Sequence, residues 1–103
     1  FAPDAVVEDP IGRSPLDPTG EGHRGIDAIA AFYDSTIAPN QVRFRIERSH
    51  AAGDEVANVG TITTTMPDGT VVHTDLVGTY RVDAEGRLVS LRAYWEIDKL
   101  RFG

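Results

Sequence analysis

Residues 56–82, VANVGTITTTMPDGTVVHTDLVGTYRV, are the stretch that decides the fold. The first arm, residues 56–65, is rich in valine and threonine, which are typical of β-strands. The tetrapeptide 66–69, MPDG, combines three strong turn formers and predicts a hairpin turn. Residues 71–82 then return as a second run of strand-forming residues. This stretch therefore predicts two adjacent antiparallel strands.

Further strand signals lie on both sides of this hairpin. Residues 42–46 alternate between apolar and charged side chains, which indicates a half-buried strand, and residues 88–97 predict the last strand. Turns at 51–54 and 83–86 separate these segments. Because such short connections leave no room for crossover helices, we predict a four-stranded antiparallel meander.

The N-terminal third predicts a short strand, a loop and a helix. Residues 5–7 form a short apolar strand, and residues 12–25, with two prolines and four glycines, are predicted to be a loop. From Ile26 the apolar residues follow helical spacing until Pro39, which predicts an amphipathic helix of about three turns. One helix packed on a long sheet is an α+β domain.

Composition restricts the class of protein. The 103 residues are 41% hydrophobic and 25% charged, which is typical of one soluble globular domain. The formal net charge is −6 without a Lys/Arg cluster, so we expect no nucleic-acid partner, and the lack of a long apolar stretch argues against a membrane partner. The chain has no cysteine, which fits a reducing compartment, and we expect a cytoplasmic protein.

The histidines do not suggest a metal site. His23, His50 and His73 have no mutual spacing that suits zinc. We therefore predict that the protein uses neither a metal nor another cofactor.

The inner face of the predicted sheet is apolar but incomplete. The residues of the last strand that share this face are Val89, Leu91, Ala93, Trp95 and Ile97. Those of the preceding strand are Val72, Thr74, Leu76, Gly78, Tyr80 and Val82. Gly78 leaves a gap in this row, and a single helix cannot fill a large concavity, so a pocket is one interpretation. The other is that helices upstream of the chain fill the space.

Asp9 is the candidate general base. The sequence Val7-Glu8-Asp9-Pro10 places a carboxylate where the first strand stops, and Pro10 restricts the backbone of Asp9 to extended conformations. A carboxylate held at the edge of an apolar scaffold can accept a proton from a bound molecule. The same residues also suit an ordinary strand-to-turn junction, since Asp and Pro are common turn formers.

Four landmarks occur in the order and spacing of the ketosteroid isomerases. They are residues 3–12 (PDAVVEDPIG), Gly25 leading into 29–33 (IAAFY), the turn at 83–88, and 92–95 (RAYW). The chain thus resembles this family within the nuclear transport factor two-like superfamily, and in particular its mycobacterial members. The resemblance implies a cone-shaped, curved antiparallel or mixed sheet wrapped around helices, with an internal apolar pocket.

The resemblance also implies how the chain is organised. It implies a single ketosteroid-isomerase-like domain over residues 1–103. Because the chain begins at Phe1 and not at methionine, we expect that the N-terminal helices of the family lie upstream of it. The resemblance further implies a homodimer formed through the outer face of the sheet.

For the site, the resemblance implies a steroid Δ-isomerase. Asp9 would take a proton from the carbon between the ketone and the alkene of a 3-oxo-Δ5 steroid and return it two carbons away. Tyr33 matches a helix tyrosine and is a candidate second hydrogen-bond donor. The oxyanion aspartate of the family falls on Gly78, and its catalytic tyrosine would lie upstream of Phe1. The substrate-binding residues that the resemblance implies are Phe32, Thr61, Leu76, Gly78, Leu91 and Trp95, with Thr63 also near the pocket wall.

Two alternatives and two further tyrosines complete the predictions. A protein that binds a small apolar ketone without turnover is the first alternative, because Gly78 lacks a donor side chain. The second is an epoxide hydrolase of the limonene type, which needs an Asp-Arg-Asp set inside the pocket. The outward alternation of Arg43, Arg45 and Arg92 counts against it. Tyr80 and Tyr94 are interpreted as structural residues.

Overall fold

The computed structural model describes all 103 residues and shows a mixed sheet of seven strands with one short helix. The strands are β1 (Val6–Glu8), β2 (His23–Arg24), β3 (Gln41–Ala52), β4 (Glu55–Thr65), β5 (Val71–Val82), β6 (Leu88–Tyr94) and β7 (Arg101–Phe102). Their order is β2-β1-β6-β5-β4-β3, and β7 pairs with the beginning of β5. The predicted α+β class and the antiparallel meander from β3 to β6 are confirmed. The last strand of the meander was predicted to reach residue 97, but β6 ends at Tyr94 and a 3₁₀ turn follows at Ile97–Lys99.

The hairpin between β4 and β5 forms as the sequence predicts. In the turn, the N–H of Met66 donates to the carbonyl of Thr70 at 2.8 Å, and the N–H of Gly69 donates to the carbonyl of Met66 at 3.0 Å. The Asp68 carboxylate accepts the N–H of Thr70 at 2.9 Å. This turn fixes the register from Thr65 opposite Val71 to Glu55 opposite Arg81.

Strand β3 is longer than predicted and contains a β-bulge. Its pairing with β4 shifts between Ile46 and Arg48, opposite Gly60. A Cβ atom on Gly60 would collide with the backbone carbonyl of Arg45, so only glycine allows the two strands to approach this closely. Because a bulge bends its strand and increases the local twist, this position contributes to the curvature of the sheet.

The N-terminal residues form the other edge of the sheet. Strand β1 runs parallel to β6, and β2 pairs antiparallel with β1. The prediction that residues 12–25 are entirely loop was therefore wrong at His23–Arg24. These two residues become a strand because Val6 and Val7 offer them a pairing edge, which is a tertiary effect.

The helical segment has the predicted length. Helix α1 (Ile26–Phe32) continues as a π-helical turn, Tyr33–Ile37, before Pro39. Ile29 and Phe32 are its buried residues. They form the core with Ala2, Ala5 and Val7, and the partly buried residues packed against this core are Leu16, Ile37, Val89 and Leu91.

This core covers only one end of the sheet. Val42 and Ile46 of β3 pair with Thr64 and Gly60 of β4. Although they are apolar, Val42 is 45% exposed and Ile46 is 51% exposed. The uncovered inner surface lies on β3 and β4, and part of it lines the first of the cavities described below. None of the helices has the length and apolar character that a bilayer span requires.

Candidate functional site

Asp9 lies immediately after β1 and is held by Trp95. The parallel register places Glu8 beside Arg92, so the chain segments that follow β1 and β6 leave the sheet on the same side. The indole Nε1–H of Trp95 donates to Asp9 Oδ1 at 2.6 Å. The chain then turns through a cis Asp9–Pro10 peptide bond. Two residues that are distant in sequence thus form one polar contact at the end of an apolar core.

The environment of Asp9 raises the pKa of its carboxyl group. Burial raises the pKa of the Asp9 carboxyl, whereas the hydrogen bond from Trp95 and the nearby charge of His23 lower it, and burial is the largest effect. The Oδ2 atom of Asp9 accepts no hydrogen bond from the protein, while Oδ1 is bound to Trp95. One carboxylate oxygen is therefore anchored and the other is free to accept a proton.

Asp9 borders two apolar cavities. The first has a volume of about 280 Å³ and extends from Asp9 and Trp95 along the inner faces of β4 and β5. Its lining residues on these two strands include Ile62, Thr64, Val72 and Thr74. The second, of about 430 Å³, lies on the helix side and is also lined by Asp9 and Phe32. The carboxyl of Asp9 therefore faces mainly apolar space on both sides.

Three of the six predicted substrate-binding residues, Phe32, Leu91 and Trp95, line the cavities beside this carboxyl. Phe32 lines both cavities and Trp95 lines the first. Leu91 and Tyr33 line the second, although Tyr33 is 53% exposed, so its function as a donor stays a prediction. Leu76 and Gly78 are buried on the inner face of β5 and line neither cavity, so their contact with a substrate also stays a prediction.

Thr61 was placed near the pocket wall, and the structure corrects this. Thr61 lies on the face of the sheet opposite the cavities, where its hydroxyl donates to Asp75 at 2.8 Å. Asp75 also accepts from Arg101 at 2.8 Å. Thr63 lies on that same face, where it contacts His73 at 3.0 Å. The hairpin register pairs Thr61 with Asp75, which lies between the inner-face residues Thr74 and Leu76 and therefore points outward. The residues of β4 that line the first cavity are Ile62 and Thr64.

The arginines required for the epoxide-hydrolase alternative are engaged elsewhere. Arg92 donates to Glu8 at 2.7 Å, and Arg45 donates to Glu47 at 3.2 Å. Neither arginine lines the two cavities next to Asp9. The structure therefore does not show an Asp-Arg-Asp arrangement at Asp9.

Two residues near Asp9, His23 and Tyr80, were not among the predicted site residues. The ring of His23 stacks on Phe32 with a centroid separation of 4.3 Å, and its Nε2 is buried without a hydrogen-bond partner. The hydroxyl of Tyr80 lies over Gly78, 3.1 Å from where a Cβ atom on that glycine would be. Strand β2, which positions His23, was not predicted, whereas the alternation along β5 had placed Tyr80 and Gly78 on one face.

Comparisons with known proteins relate the chain and its fold to steroid isomerases. The family described as SnoaL-like domain matches residues 1–91. The steroid Δ-isomerase of Nocardioides simplex is 30% identical over 95 residues, which cover 92% of this chain and 70% of that protein. The crystal structure of Δ5-3-ketosteroid isomerase from Mycobacterium sp. has a TM-score of 0.95 and 43% identity, covering 100% of this chain and 80% of the other.

A ligand complex is also among the similar structures. The structure of RV0760c from Mycobacterium tuberculosis in complex with estradiol-17beta-hemisuccinate has a TM-score of 0.92 and 35% identity, covering 99% of this chain and 80% of the other. Together with the isomerase structure, it confirms the predicted cone-shaped fold.

Proposed function

This chain belongs to the SnoaL-like domain family, and on that basis we propose that it is a steroid Δ-isomerase-like enzyme with Asp9 as general base. The observation that carries the proposal is the buried Asp9 carboxyl, anchored by Trp95 at the border of an apolar cavity. The similarity to two proteins described as steroid Δ-isomerase and ketosteroid isomerase supports this reaction class. The proposed substrate is a 3-oxo-Δ5 steroid.

The proposed reaction moves one proton within the substrate. The free oxygen of Asp9 takes a proton from the carbon between the ketone and the alkene, and the electrons of that C–H bond form a dienolate. Protonated Asp9 then returns the proton to the far alkene carbon, and the double bond comes into conjugation with the ketone. Asp9 ends as a carboxylate, so the reaction needs no oxidant, reductant or metal.

The environment of Asp9 suits this reversible proton transfer. Because burial raises the pKa of Asp9, its carboxylate is a stronger base than an exposed aspartate. The Trp95 hydrogen bond opposes this effect because it stabilises the charged carboxylate, which is the form that accepts a proton. The bond also fixes Oδ1, so that Oδ2 has a defined direction toward the apolar space where a steroid skeleton would lie.

Isomerase activity is tested by incubating the protein with 5-androstene-3,17-dione and following the absorbance of the conjugated enone. We expect turnover by the wild type and a loss of about 10²–10⁴-fold in Asp9→Asn, since a positioned general base contributes about that much. Asn preserves the size and an oxygen acceptor for Trp95. Tyr94→Phe is the matched control, because it lies on the other face near Arg92 and should retain the wild-type rate. Equal rates in Asp9→Asn and the wild type would refute the assignment.

Gly78 favours a second candidate function, which is the binding of a steroid-like molecule without turnover. Glycine supplies no side-chain donor to the inner face of β5. The relative RV0760c was solved in complex with estradiol-17beta-hemisuccinate, which supports steroid binding as such. Saturable binding of a steroid, with no enone formation by the wild type, would favour this function. A cytoplasmic location and a homodimer stay predictions.

A further inference from the structure

The proposed proton transfer requires a hydrogen-bond donor for the substrate oxygen. Negative charge develops on the ketone oxygen as the dienolate forms, and fixed donors in a water-poor site stabilise it. Among side-chain donors a phenol is well suited, because its ordinary pKa near 10 lies far below that of an alcohol or amide. The chain has three tyrosines, at positions 33, 80 and 94.

Of the three tyrosines, Tyr80 is the one that lies on a strand of the sheet with its side chain on the inner face. It shares this face of β5 with Leu76 and Gly78, and its side chain folds back along the strand. The hydroxyl and two ring carbons lie 3.1–3.5 Å from the position that a Cβ atom on Gly78 would occupy. The absence of a side chain at Gly78 therefore makes room for the Tyr80 hydroxyl.

The strand order brings this hydroxyl to the side of the sheet that carries Asp9. Gly78 pairs with Ala93 on β6, and β6 pairs with β1, at whose end Asp9 lies. The backbones of β5 and β1 are therefore two strand spacings apart, about 10 Å. The side chains of Asp9 and Tyr80 extend over the same face, and the charge of Asp9 acts on the Tyr80 phenol. Tyr80 lines neither of the two cavities beside Asp9, so a ketone that contacts both residues extends beyond these cavities along β5.

The proton of the Tyr80 hydroxyl is available to a ligand. The hydroxyl donates no hydrogen bond to another group of the protein. Burial raises the pKa of Tyr80, the negative charge of Asp9 adds to this effect, and the neighbouring Asn58 side chain opposes it. The side chain of Asn58 lies close to this hydroxyl, and its Oδ1 atom is buried without a hydrogen-bond partner.

We infer that Tyr80 is a catalytic residue whose hydroxyl, lodged over Gly78, donates a hydrogen bond to the substrate oxygen as charge develops on it. This inference rests on the proposed function. It assigns the oxyanion donor to a side chain that the sequence had indicated as structural, and it gives Gly78 a role in making space for that side chain.

Kinetics test the inference with Tyr80→Phe, which keeps the ring and removes the hydroxyl. With 5-androstene-3,17-dione we expect kcat to fall by about 10²-fold with little change in KM, because the lost bond forms mainly in the transition state. Gly78→Ala is a second variant. Its methyl group would lie 3.1 Å from the Tyr80 hydroxyl and displace it, so kcat should fall as well. Tyr94→Phe should behave as the wild type, and circular dichroism verifies folding.

A binding measurement separates this inference from the isomerase proposal. Equilenin carries an acidic naphthol, and its fluorescence distinguishes bound naphthol from naphtholate. We expect a lower naphtholate fraction in Tyr80→Phe than in the wild type at the same pH, whereas a purely structural loss would weaken both forms equally.

The possible results have distinct meanings. If the wild type turns over the steroid but Tyr80→Phe retains both kcat and the naphtholate fraction, the Tyr80 assignment is wrong and the isomerase proposal stands. If the wild type shows no turnover, the isomerase proposal fails and the naphtholate fraction alone decides for or against Tyr80 as an oxyanion donor. A wild type that does not bind equilenin overturns the assignment.

Discussion

Replacing Trp95 with phenylalanine should raise the pKa of Asp9 further. The substitution keeps an aromatic ring but removes the Nε1–H that donates to Asp9 Oδ1 at 2.6 Å. This bond stabilises the carboxylate and lowers the pKa, against the larger effect of burial. A hydrogen bond to a charged group contributes about 1.5–3 kcal/mol, which corresponds to a roughly 10- to 150-fold decrease in the ratio of carboxylate to carboxylic acid.

Carbon-13 NMR of the side-chain carboxyl groups over a range of pH measures this change without any catalytic assay. The signal of Asp9 is identified by its disappearance in Asp9→Asn. We expect its titration to move to higher pH in Trp95→Phe and to stay in place in Tyr94→Phe, whose ring lies on the other face near Arg92. An Asp9 titration that is unchanged or moves to lower pH in folded Trp95→Phe would refute the function assigned to the Trp95 hydrogen bond.

The remaining predictions concern stability. Because burial raises the pKa of Asp9 above its value in the unfolded chain, its contribution to stability is greatest at low pH and is lost as the pH rises through the folded-state pKa. Asp9→Asn should therefore raise the melting temperature at neutral pH by an amount that shrinks on acidification, and a pH-independent difference would contradict this. Gly60→Ala should lower the free energy of unfolding by about 1–3 kcal/mol, because its Cβ collides with the Arg45 carbonyl. Gly78→Ala should lower the free energy of unfolding by less, because its Cβ meets the hydroxyl of Tyr80, which can move. Urea titration measures both free energies.

The meander was predictable because its signals are local. The turn at Met66–Gly69 combines proline, aspartate and glycine, and the strand Val71–Val82 was predicted with its observed bounds. The bulge opposite Gly60 could not be predicted, because it depends on how closely β3 approaches β4. The bulge shifts the pairing of β3 after Ile46, so the regular alternation of residues 42–46 indicates only the first part of this strand.

The site was less predictable because it depends on contacts between distant residues. Asp9 was recognised from its own motif, but its bond to Trp95 requires the parallel pairing of β1 with β6, which nothing in either strand indicates. The placement of His23 beside Phe32 depends on β2, a two-residue strand within a glycine-rich loop. The error at Thr61 was avoidable, since counting from the hairpin turn pairs it with the outward-facing Asp75.

The transfer of an isotope label tests most directly whether Asp9 carries the proton. The substrate is 5-androstene-3,17-dione deuterated at the carbon between the ketone and the alkene, and the product is analysed by NMR and mass spectrometry after reaction in ordinary water. A buried carboxyl that exchanges slowly with solvent should deliver deuterium to the carbon two positions away in the wild type, and Asp9→Asn should lose this transfer. Product from the wild type with no more deuterium at that carbon than the buffer reaction gives would contradict the assignment of Asp9 as the base.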